Sequence, residues 1–372
     1  MTIFQSILDA PPIQSGSLNF ASNGLQQPIL MTESGSLIIL WNNTIYVISQ
    51  SGYILSEISL ATLTNGLGRN PPNGFVGLDS WCYIGNGQIA YFDNYANNGL
   101  GIITFDALYR WSIFPQAARY AAYVASMASV PSGTFSNSLN GVAYFFANQN
   151  GINTASKILN LATGSYFAIS NALTNGNMLL STDGNLYISN LSGTNNLYIV
   201  NPNAATVTYQ TTSPVAMIFS CDDDTYLYAS PTPNIYRFHK GYRTYTVEYL
   251  GTNAYTNIIG IVGGYLLLLD FENGNFLKVF WAGANFVQGV TFNFPDTAAL
   301  GNTNKLLLVN SDKIRMIYEF KGNGALPLGI FDLSESLYYQ IFPTFVYNYS
   351  WLNKSPIALK SQPVYFNLQT KG

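Results

Sequence analysis

Charged side chains are scarce in this chain of 372 residues, where they make up 9% of the composition. An average soluble domain has about a quarter. The 15 lysines and arginines are scattered without a run, and the formal net charge is −3. A basic stripe supplies most of the affinity of nucleic-acid-binding proteins, so its absence argues against nucleic acid as a partner. The polar surface must be built from Asn, Ser, Thr, Gln and Tyr, which favours neutral contacts with glycans or other proteins.

Histidine and cysteine are nearly missing as well, since the chain has only His239, Cys82 and Cys221. Zinc sites normally need several His or Cys ligands, which argues against His-based zinc chemistry. A Ser–His–Asp relay would have to use His239, and no Gly-x-Ser-x-Gly elbow accompanies it. We therefore predict no catalytic residue, no metal and no cofactor, and we place His239 on the surface of a strand. The two cysteines are predicted to be buried free thiols, with their pairing left open.

Long apolar runs are also missing, because no segment reaches the roughly 18 continuous apolar residues of a membrane helix. The N-terminal residues lack a basic region and a long apolar core, so we predict neither a secretion signal nor membrane insertion. A surface suited to the cell exterior, without a route of export, is what a particle released by lysis or assembly needs. We therefore expect synthesis in a host cytoplasm and a final location in a virion.

What the chain does have is a repeat. Four stretches share a turn residue, an apolar strand and a small polar ending: Gly-Asn-Leu-Tyr-Ile-Ser-Asn, Asp-Thr-Tyr-Leu-Tyr-Ala-Ser, Gly-Tyr-Leu-Leu-Leu-Leu-Asp and Asn-Lys-Leu-Leu-Leu-Val-Asn. They start at positions 184, 224, 264 and 304, which is a period of 40 residues. That period, with several strands in each unit, predicts propeller blades. The 27 Tyr and 23 Phe residues provide the area to bury between blades.

The first half of the chain carries similar strands at a longer spacing, in units that begin near positions 35, 87 and 140. We predict an all-β, seven-bladed β-propeller of four-stranded antiparallel blades over residues 28–334, with eight blades as the alternative. Residues 1–27 are predicted to form an N-terminal arm or blade-closing segment, and residues 335–372 a C-terminal closing or capping segment. The first strand of the third unit is expected within residues 123–130, and no helix of convincing length is predicted.

The phrase Asp-Gly-Asn-Leu-Tyr-Ile-Ser at 183–189 resembles the strand–turn repeat of NHL-type and related β-propellers, which implies the same fold. The resemblance covers only the strand–turn–strand core of each blade and implies no activity. The WD40 signature is missing, and the sialidase Asp box is incomplete because no Trp follows residues 181–185. In composition the chain is similar to virion and tail proteins, in particular those of viruses infecting thermophilic archaea, which implies a place in a virus particle.

Exposed aromatic residues are the candidates for glycan contact. Trp41 precedes two asparagines and Trp351 lies in the loose C-terminal segment, so these two are the better placed to stack on sugar rings. Sequons for N-glycosylation occur at Asn42, Asn190, Asn348 and Asn353. The acidic turn at 221–224 has two interpretations, a calcium site or a solvated turn that enters the next strand, and the second is favoured.

Three functions stay open at this point. The first is a non-enzymatic virion structural or host-attachment protein, which contacts other virion proteins or a protein or glycan of the host cell surface. Loops at 91–100 and 148–155 would make these contacts, and the terminal segments would join neighbouring subunits, further copies of the chain included. The second is a carbohydrate-binding or glycoside-cleaving propeller with carboxylates near strand ends, at Asp79, Asp93, Asp183, Asp224 and Asp270. The third is a cellular interaction scaffold, which the poverty of charge disfavours.

Overall fold

A computed structural model gives the fold, and every structural statement below concerns the residues that it describes. These are residues 25–41, 44–49, 54–64, 81–93, 99–115, 117–127, 132–148, 155–169, 173, 176–190, 195–214, 217, 219–229, 234–250, 257–262, 265–270, 276–281, 287–293, 306–310, 313–319 and 328–332.

The described residues form strands almost throughout, arranged in antiparallel sheets whose strands follow one another in chain order. Sheet 1 contains β1 (Leu25–Met31), β2 (Leu37–Trp41), β3 (Thr44–Ile48) and β4 (Ile54–Ser59). Sheet 2 contains β5 (Trp81–Tyr83), β6 (Gln88–Asp93), β7 (Gly99–Phe105) and β8 (Trp111–Phe114). Sheet 3 contains β9 (Ser132–Phe135), β10 (Tyr144–Asn148), β11 (Ser156–Asn160) and β12 (Tyr166–Ile169).

The period of 40 residues reappears in the later sheets. Sheet 4 contains β13 (Gly176–Leu180), β14 (Leu186–Asn190), β15 (Asn196–Asn201) and β16 (Thr206–Thr212). Sheet 5 contains β17 (Phe219–Asp222), β18 (Tyr226–Ala229), β19 (Asn234–His239) and β20 (Thr244–Leu250). Sheet 6 contains β21 (Asn257–Val262), β22 (Tyr265–Asp270), β23 (Phe276–Trp281) and β24 (Val287–Asn293). Sheet 7 contains β25 (Leu306–Asn310), β26 (Lys313–Glu319) and β27 (Leu328–Asp332). The repeated stretches are β14, β18, β22 and β25, as the period predicts.

The chain divides into two compact units, which are described separately. One unit comprises Leu25–Ile48 and Leu55–Ile258 and holds sheets 1 to 5. The other comprises Met1–Gly24, Ser49–Ile54 and Ile259–Gly372, and its described strands belong to sheets 6 and 7. The described helices lie in the first unit, and none of them has the length and apolar character needed to cross a membrane.

Within the first unit, each sheet shares a hydrophobic core with the next sheet in sequence. In β14, Leu186 and Ile188 pack in the core shared with sheet 3, and Tyr187 between them packs in the core shared with sheet 5. Further cores join sheet 1 to sheet 2 and sheet 2 to sheet 3. Because neighbouring side chains of a strand point to opposite faces, a strand covered on both faces is buried at every position, as β14 is, and its first three residues are apolar.

Outer strands show the opposite pattern. In β16 exposed and half-buried residues alternate along the whole strand, as expected for a strand with one solvated face. The pairing also shifts by one residue in β16, β20 and β24, each time near the middle of the strand. The extra residues are Thr208, Glu248 and Gly289, at nearly equal spacing. Such bulges twist an edge strand and hinder its pairing with other chains, which matters where few charges protect the edge.

Short helical segments of five residues or fewer interrupt the strands in the described residues. The strand expected within residues 123–130 is wrong: a 3-10 helix spans Ala118–Tyr120, an α-helix spans Ala121–Ala125, and the first strand of sheet 3 is β9. This segment is rich in alanine, which favours helix. Tyr120 and Tyr123 are three residues apart, lie on one side and are fully buried, and their hydroxyl groups donate to the carbonyl oxygens of Leu161 and Lys157.

The second helix, Leu60–Thr64, follows sheet 1 directly. Its first turn is capped by Ser59, whose hydroxyl oxygen accepts the N–H of Thr62 at 3.0 Å. Leu60 and Leu63 are three residues apart and both enter the core of sheets 1 and 2. The helix therefore forms because a capping residue and one apolar face coincide.

Candidate interaction surface

Turn residues of one sheet bind the next sheet at the junction of sheets 1 and 2. Glu33, in the turn between β1 and β2, accepts a hydrogen bond from the Tyr83 hydroxyl at 2.6 Å and from the Asn86 N–H at 2.8 Å. Burial pushes the pKa of Glu33 upward, but these hydrogen bonds outweigh it and the pKa lies below the ordinary 4.5. Burial, and then the Glu33 carboxylate, raise the pKa of the Tyr83 hydroxyl. The pair is a fixed carboxylate–phenol contact between sheets.

An asparagine makes the corresponding contact between sheets 3 and 4. The Asn137 side chain donates to the Leu180 carbonyl at 2.9 Å and accepts the Leu180 N–H at 2.7 Å. Nearby, the Thr134 hydroxyl donates to the Gly176 carbonyl at 3.0 Å. Because both backbone groups of Leu180 are satisfied from the neighbouring sheet, the two sheets are held in a defined register.

The junction of sheets 4 and 5 is built around the Asp222 carboxylate. One of its oxygens accepts hydrogen bonds from the Ser181 hydroxyl at 2.7 Å and from the N–H and hydroxyl of Thr182, both at 3.0 Å. Lys240 forms an ion pair with the same oxygen at 2.6 Å and also donates to the Asp223 carbonyl at 2.5 Å. Both ionic side chains are buried. A buried charge is tolerated where it is paired and hydrogen-bonded in this way.

Two further aspartates near this junction hold tyrosines of their own sheets. Asp183 accepts the Tyr187 hydroxyl at 2.8 Å, and Asp223 accepts the Tyr228 hydroxyl at 2.6 Å. Burial pushes the pKa of Asp183 upward, but hydrogen bonds from Asn185 and Tyr187 outweigh it, so that the pKa lies below the ordinary 3.8. Burial raises the pKa of both tyrosine hydroxyls, and the aspartates raise it further. These carboxylates are engaged in structural contacts.

The acidic turn at 221–224 is therefore part of a junction. Its aspartates point to different partners, since Asp222 binds Lys240 and Asp223 binds Tyr228 together with the N–H groups of Thr225 and Tyr226. Among the described residues, no group of three His, Cys, Asp or Glu side chains is arranged to hold a metal ion. The turn enters strand β18 directly, as the second interpretation expects, but the Asp222 side chain is buried and not solvated.

A different kind of cluster lies at the other side of Lys240, in the turn between β19 and β20. Tyr242 is 79% exposed, and its ring packs on the His239 ring with the centroids 4.3 Å apart. His239 in turn packs edge-on against Tyr226 at 4.9 Å, and the Arg237 guanidinium lies 4.2 Å from the centre of the Tyr226 ring. The stack thus extends from the largely exposed Tyr242 ring to the buried Arg237 guanidinium.

The backbone of the same turn fixes this stack. The N–H groups of Gly241 and Tyr242 donate to Nδ1 of His239, both at 3.1 Å, and the Arg243 N–H donates to the His239 carbonyl at 2.7 Å. Arg243 has a φ of 58°, the left-handed conformation that closes the hairpin. Its guanidinium lies 4.4 Å from the centre of the Tyr209 ring on β16. Residues 239–243 are therefore fixed by backbone hydrogen bonds to His239 in sheet 5 and by the contact of Arg243 with Tyr209 in sheet 4.

The predicted site residues fall in several places. Trp41 ends β2, and the described part of the structure does not extend to its side chain; Asn42, Trp351, Asn348 and Asn353 lie outside the described residues. Asn190 ends β14 and is only 8% exposed, which disfavours a glycan there in the folded chain. The tips of the contact loops, 94–98 and 149–154, lie outside the described residues, as do Asp79 and the arms before residue 25 and after residue 332.

The sequence reading missed the tyrosine at the β19–β20 turn. His239 does lie on a strand near the surface, as predicted, but its partners Tyr226 and Tyr242 were not recognised. An aromatic residue between Gly241 and Arg243, in a two-strand hairpin, was the available signal. Cys82 and Cys221, in sheets 2 and 5, are free thiols; Cys82 is buried, as predicted, whereas Cys221 is half-buried.

Comparison with known proteins supports the fold alone. No protein-family profile and no curated protein sequence matches the chain. Among solved structures, it is similar to a puromycin hydrolase at a TM-score of 0.54 and 11% identity, over 86% of this chain and 54% of that one. It is similar to the extracellular domain of a hybrid two-component system from B. thetaiotaomicron at 0.52 and 10% identity, over 86% and 39%. The Dos1 propeller matches at 0.48 and 12% identity, over 81% and 77%.

Successive four-stranded antiparallel meanders are the blades of a β-propeller, and within the first unit each packs on the next through a shared core; the predicted fold class is confirmed. The puromycin hydrolase and two-component chains are about twice as long as the part that matches, or longer. A total of seven blades stays a prediction, because the described residues form six four-stranded sheets and one sheet of three described strands.

Proposed function

We propose that this β-propeller is a non-enzymatic structural or host-attachment protein of a virus particle. Its partners would be other virion proteins or a protein or glycan of the host cell surface. The proposal rests on the different roles of the polar and aromatic groups. Asp222, Lys240 and Asn137 are used to join neighbouring sheets, whereas the exposed Tyr242 is presented to solvent on a turn that is held from both sides. A rigid frame that presents a fixed surface suits contact.

Composition supports the setting. Only 9% of the residues in the chain are charged, so its surface depends on hydroxyl, amide and aromatic groups. These groups make neutral contacts, which salt does not weaken. The bulges in the outer strands β16, β20 and β24 hinder uncontrolled edge pairing, which a protein packed at high concentration in a particle must avoid.

The alternative of a glycoside-cleaving propeller needs two carboxyl groups about 5 to 9 Å apart that are free to act on a sugar. Asp183 and Asp223 accept hydrogen bonds from tyrosines of their own sheets, and Asp222 is paired with Lys240. These contacts favour structural roles for the three. An assay for reducing sugar with the purified chain tests the alternative, and release of sugar would contradict the proposed function.

The setting is tested by mass spectrometry of purified extracellular particles and of cell fractions from the source culture. Recovery of the chain with the particles is expected. Enrichment as a free protein of the cytoplasm, with none in particles, would contradict the virion setting and favour a cellular scaffold.

A further inference from the structure

One surface feature points to a class of ligand, and it is the turn of residues 239–243. Tyr242 is the most exposed of the large apolar side chains in the described structure, at 79%. Its ring has a partner on one side, His239, and that ring is supported by Tyr226. A large aromatic side chain left in water on a fixed turn gains free energy when a ligand covers it.

Hydrogen bonds within this turn fix the position of the Tyr242 backbone before any ligand binds. Three backbone N–H groups, those of Gly241, Tyr242 and Arg243, donate to His239, two to its ring and one to its carbonyl. A loop normally loses conformational entropy when it binds a ligand. In this turn, part of that entropy is already lost on folding. A ligand that stacks on Tyr242 meets a surface that is already in position.

The neighbouring groups indicate what kind of ligand fits. The charges near this turn are engaged within the protein: Lys240 pairs with Asp222, and the guanidinium groups of Arg237 and Arg243 lie on the rings of Tyr226 and Tyr209. Arg243 and Thr244, which follow Tyr242 in the chain, are exposed residues. A protein partner would need an interface of about 800 Å² on each side, much of it apolar at its centre. One exposed ring offers much less.

We infer that the β19–β20 turn is a saccharide-binding site in which Tyr242 stacks against the C–H face of a pyranose ring. Arg243 and Thr244 hydrogen-bond to hydroxyl groups of the sugar, and a corner whose charges are engaged within the protein suits a neutral saccharide. This inference deepens the proposed role in surface contacts and rests on it, with glycan chosen over protein as the partner of this turn.

The test uses the full chain and an array of neutral hexose and N-acetylhexosamine oligosaccharides, followed by titration of the best-bound member. Tyr242→Ala removes the ring and is expected to weaken binding at least about tenfold. Tyr242→Phe keeps the ring and is expected to retain most of the affinity. Arg243→Gln is expected to lower the affinity by an intermediate factor, since it shortens the hydrogen-bonding side chain and leaves the Tyr242 ring in the protein.

Leu108 provides the matched control. It is 74% exposed in the hairpin turn between β7 and β8 of sheet 2, and it has no aromatic stack. Leu108→Ala removes a comparable exposed apolar side chain and is expected to leave saccharide binding unchanged. Circular dichroism melting of each variant establishes that it folds.

Two results would overturn the inference: no binding of any array member by the wild-type chain, or equal binding by the wild type and Tyr242→Ala. Neither result bears on the virion setting, which the composition of purified particles decides independently. A chain recovered in particles that binds no saccharide would keep its proposed function and lose this site.

Discussion

Lys240 and Asp222 form an ion pair with 2.6 Å between nitrogen and oxygen, and their side chains are only 7% and 8% exposed. Ser181 and Thr182 of sheet 4 bind the same carboxylate oxygen, so that the charge of sheet 5 is held by the neighbouring sheet. Removal of one partner leaves the other charge buried and unpaired. That cost exceeds the net contribution of the pair itself.

Lys240→Met is therefore predicted to lower the free energy of unfolding by about 3–5 kcal/mol, measured by urea denaturation at neutral pH. The control is Arg110→Met, which breaks an exposed ion pair with Asp106 and should have little effect. Adding Asp222→Leu to Lys240→Met should recover part of the loss, because no unpaired charge then remains. Equal stability of Lys240→Met and the wild type would contradict the structural role of the pair.

Acid is predicted to destabilise the chain through Glu33 and Asp183. Both carboxyl groups have a pKa in the folded chain below the ordinary values of 4.5 and 3.8. A lowered folded pKa means that the stabilisation is complete above the unfolded pKa and is lost as pH falls through the folded one. The midpoint of thermal unfolding should thus fall from pH 5 downward.

The double variant Glu33→Gln/Asp183→Asn isolates these two groups. It should be less stable than the wild type at pH 7, and its midpoint should depend less on pH below pH 5. Parallel pH profiles for the wild type and the double variant would show that other groups cause the acid lability.

Substitution of two glycines with positive φ distinguishes the cost of backbone strain from the cost of a steric clash. Gly87 has a φ of 67°, and a Cβ there would lie 2.0 Å from the Phe105 carbonyl oxygen. Gly184 has a φ of 81°, but a Cβ there would have no neighbour within 4 Å. Gly184→Ala should cost about 1–2 kcal/mol from the left-handed backbone alone. Gly87→Ala should cost about 2–5 kcal/mol, because overpacking adds to the same strain. Similar losses in urea denaturation would contradict the close approach at Gly87.

The two cysteines are predicted to be unreactive in the folded chain. Burial raises the pKa of the Cys82 thiol to about 12, and burial followed by the charges of Asp222 and Asp223 raises the pKa of the Cys221 thiol. The thiolate is the reactive form, so iodoacetamide at pH 8 should label neither residue in native buffer and both in urea. Rapid native labelling of Cys82 would contradict its burial, and a disulfide in the purified protein would contradict the free thiols.

Much of the fold could be predicted because its main signal is periodic. The stretches starting at 184, 224, 264 and 304 contain β14, β18, β22 and β25, since an apolar run bounded by polar turn residues predicts a strand. Strands outside the repeat were harder to bound, because their limits depend on pairing across the sheet, as for β17 (Phe219–Asp222), which pairs with β18.

The candidate site was less predictable because it depends on contacts between turns. The sequence shows three adjacent aspartates, but not that Asp222 meets Lys240 from a hairpin 18 residues later while Asp223 meets Tyr228. The helix at Ala121–Ala125 was missed because residues 123–130 were expected to hold a strand in a chain dominated by strands. Alanine content and the spacing of three between these tyrosines carried the correct signal.

The central claim, that this propeller is a component of a virus particle, is tested most directly by quantitative mass spectrometry across a density gradient of purified particles. The account predicts that the amount of this chain rises and falls with the major particle proteins, at a constant ratio in every fraction, whereas an abundant host protein does not. A ratio that varies between fractions, with most of the chain at the top of the gradient as free protein, would contradict it.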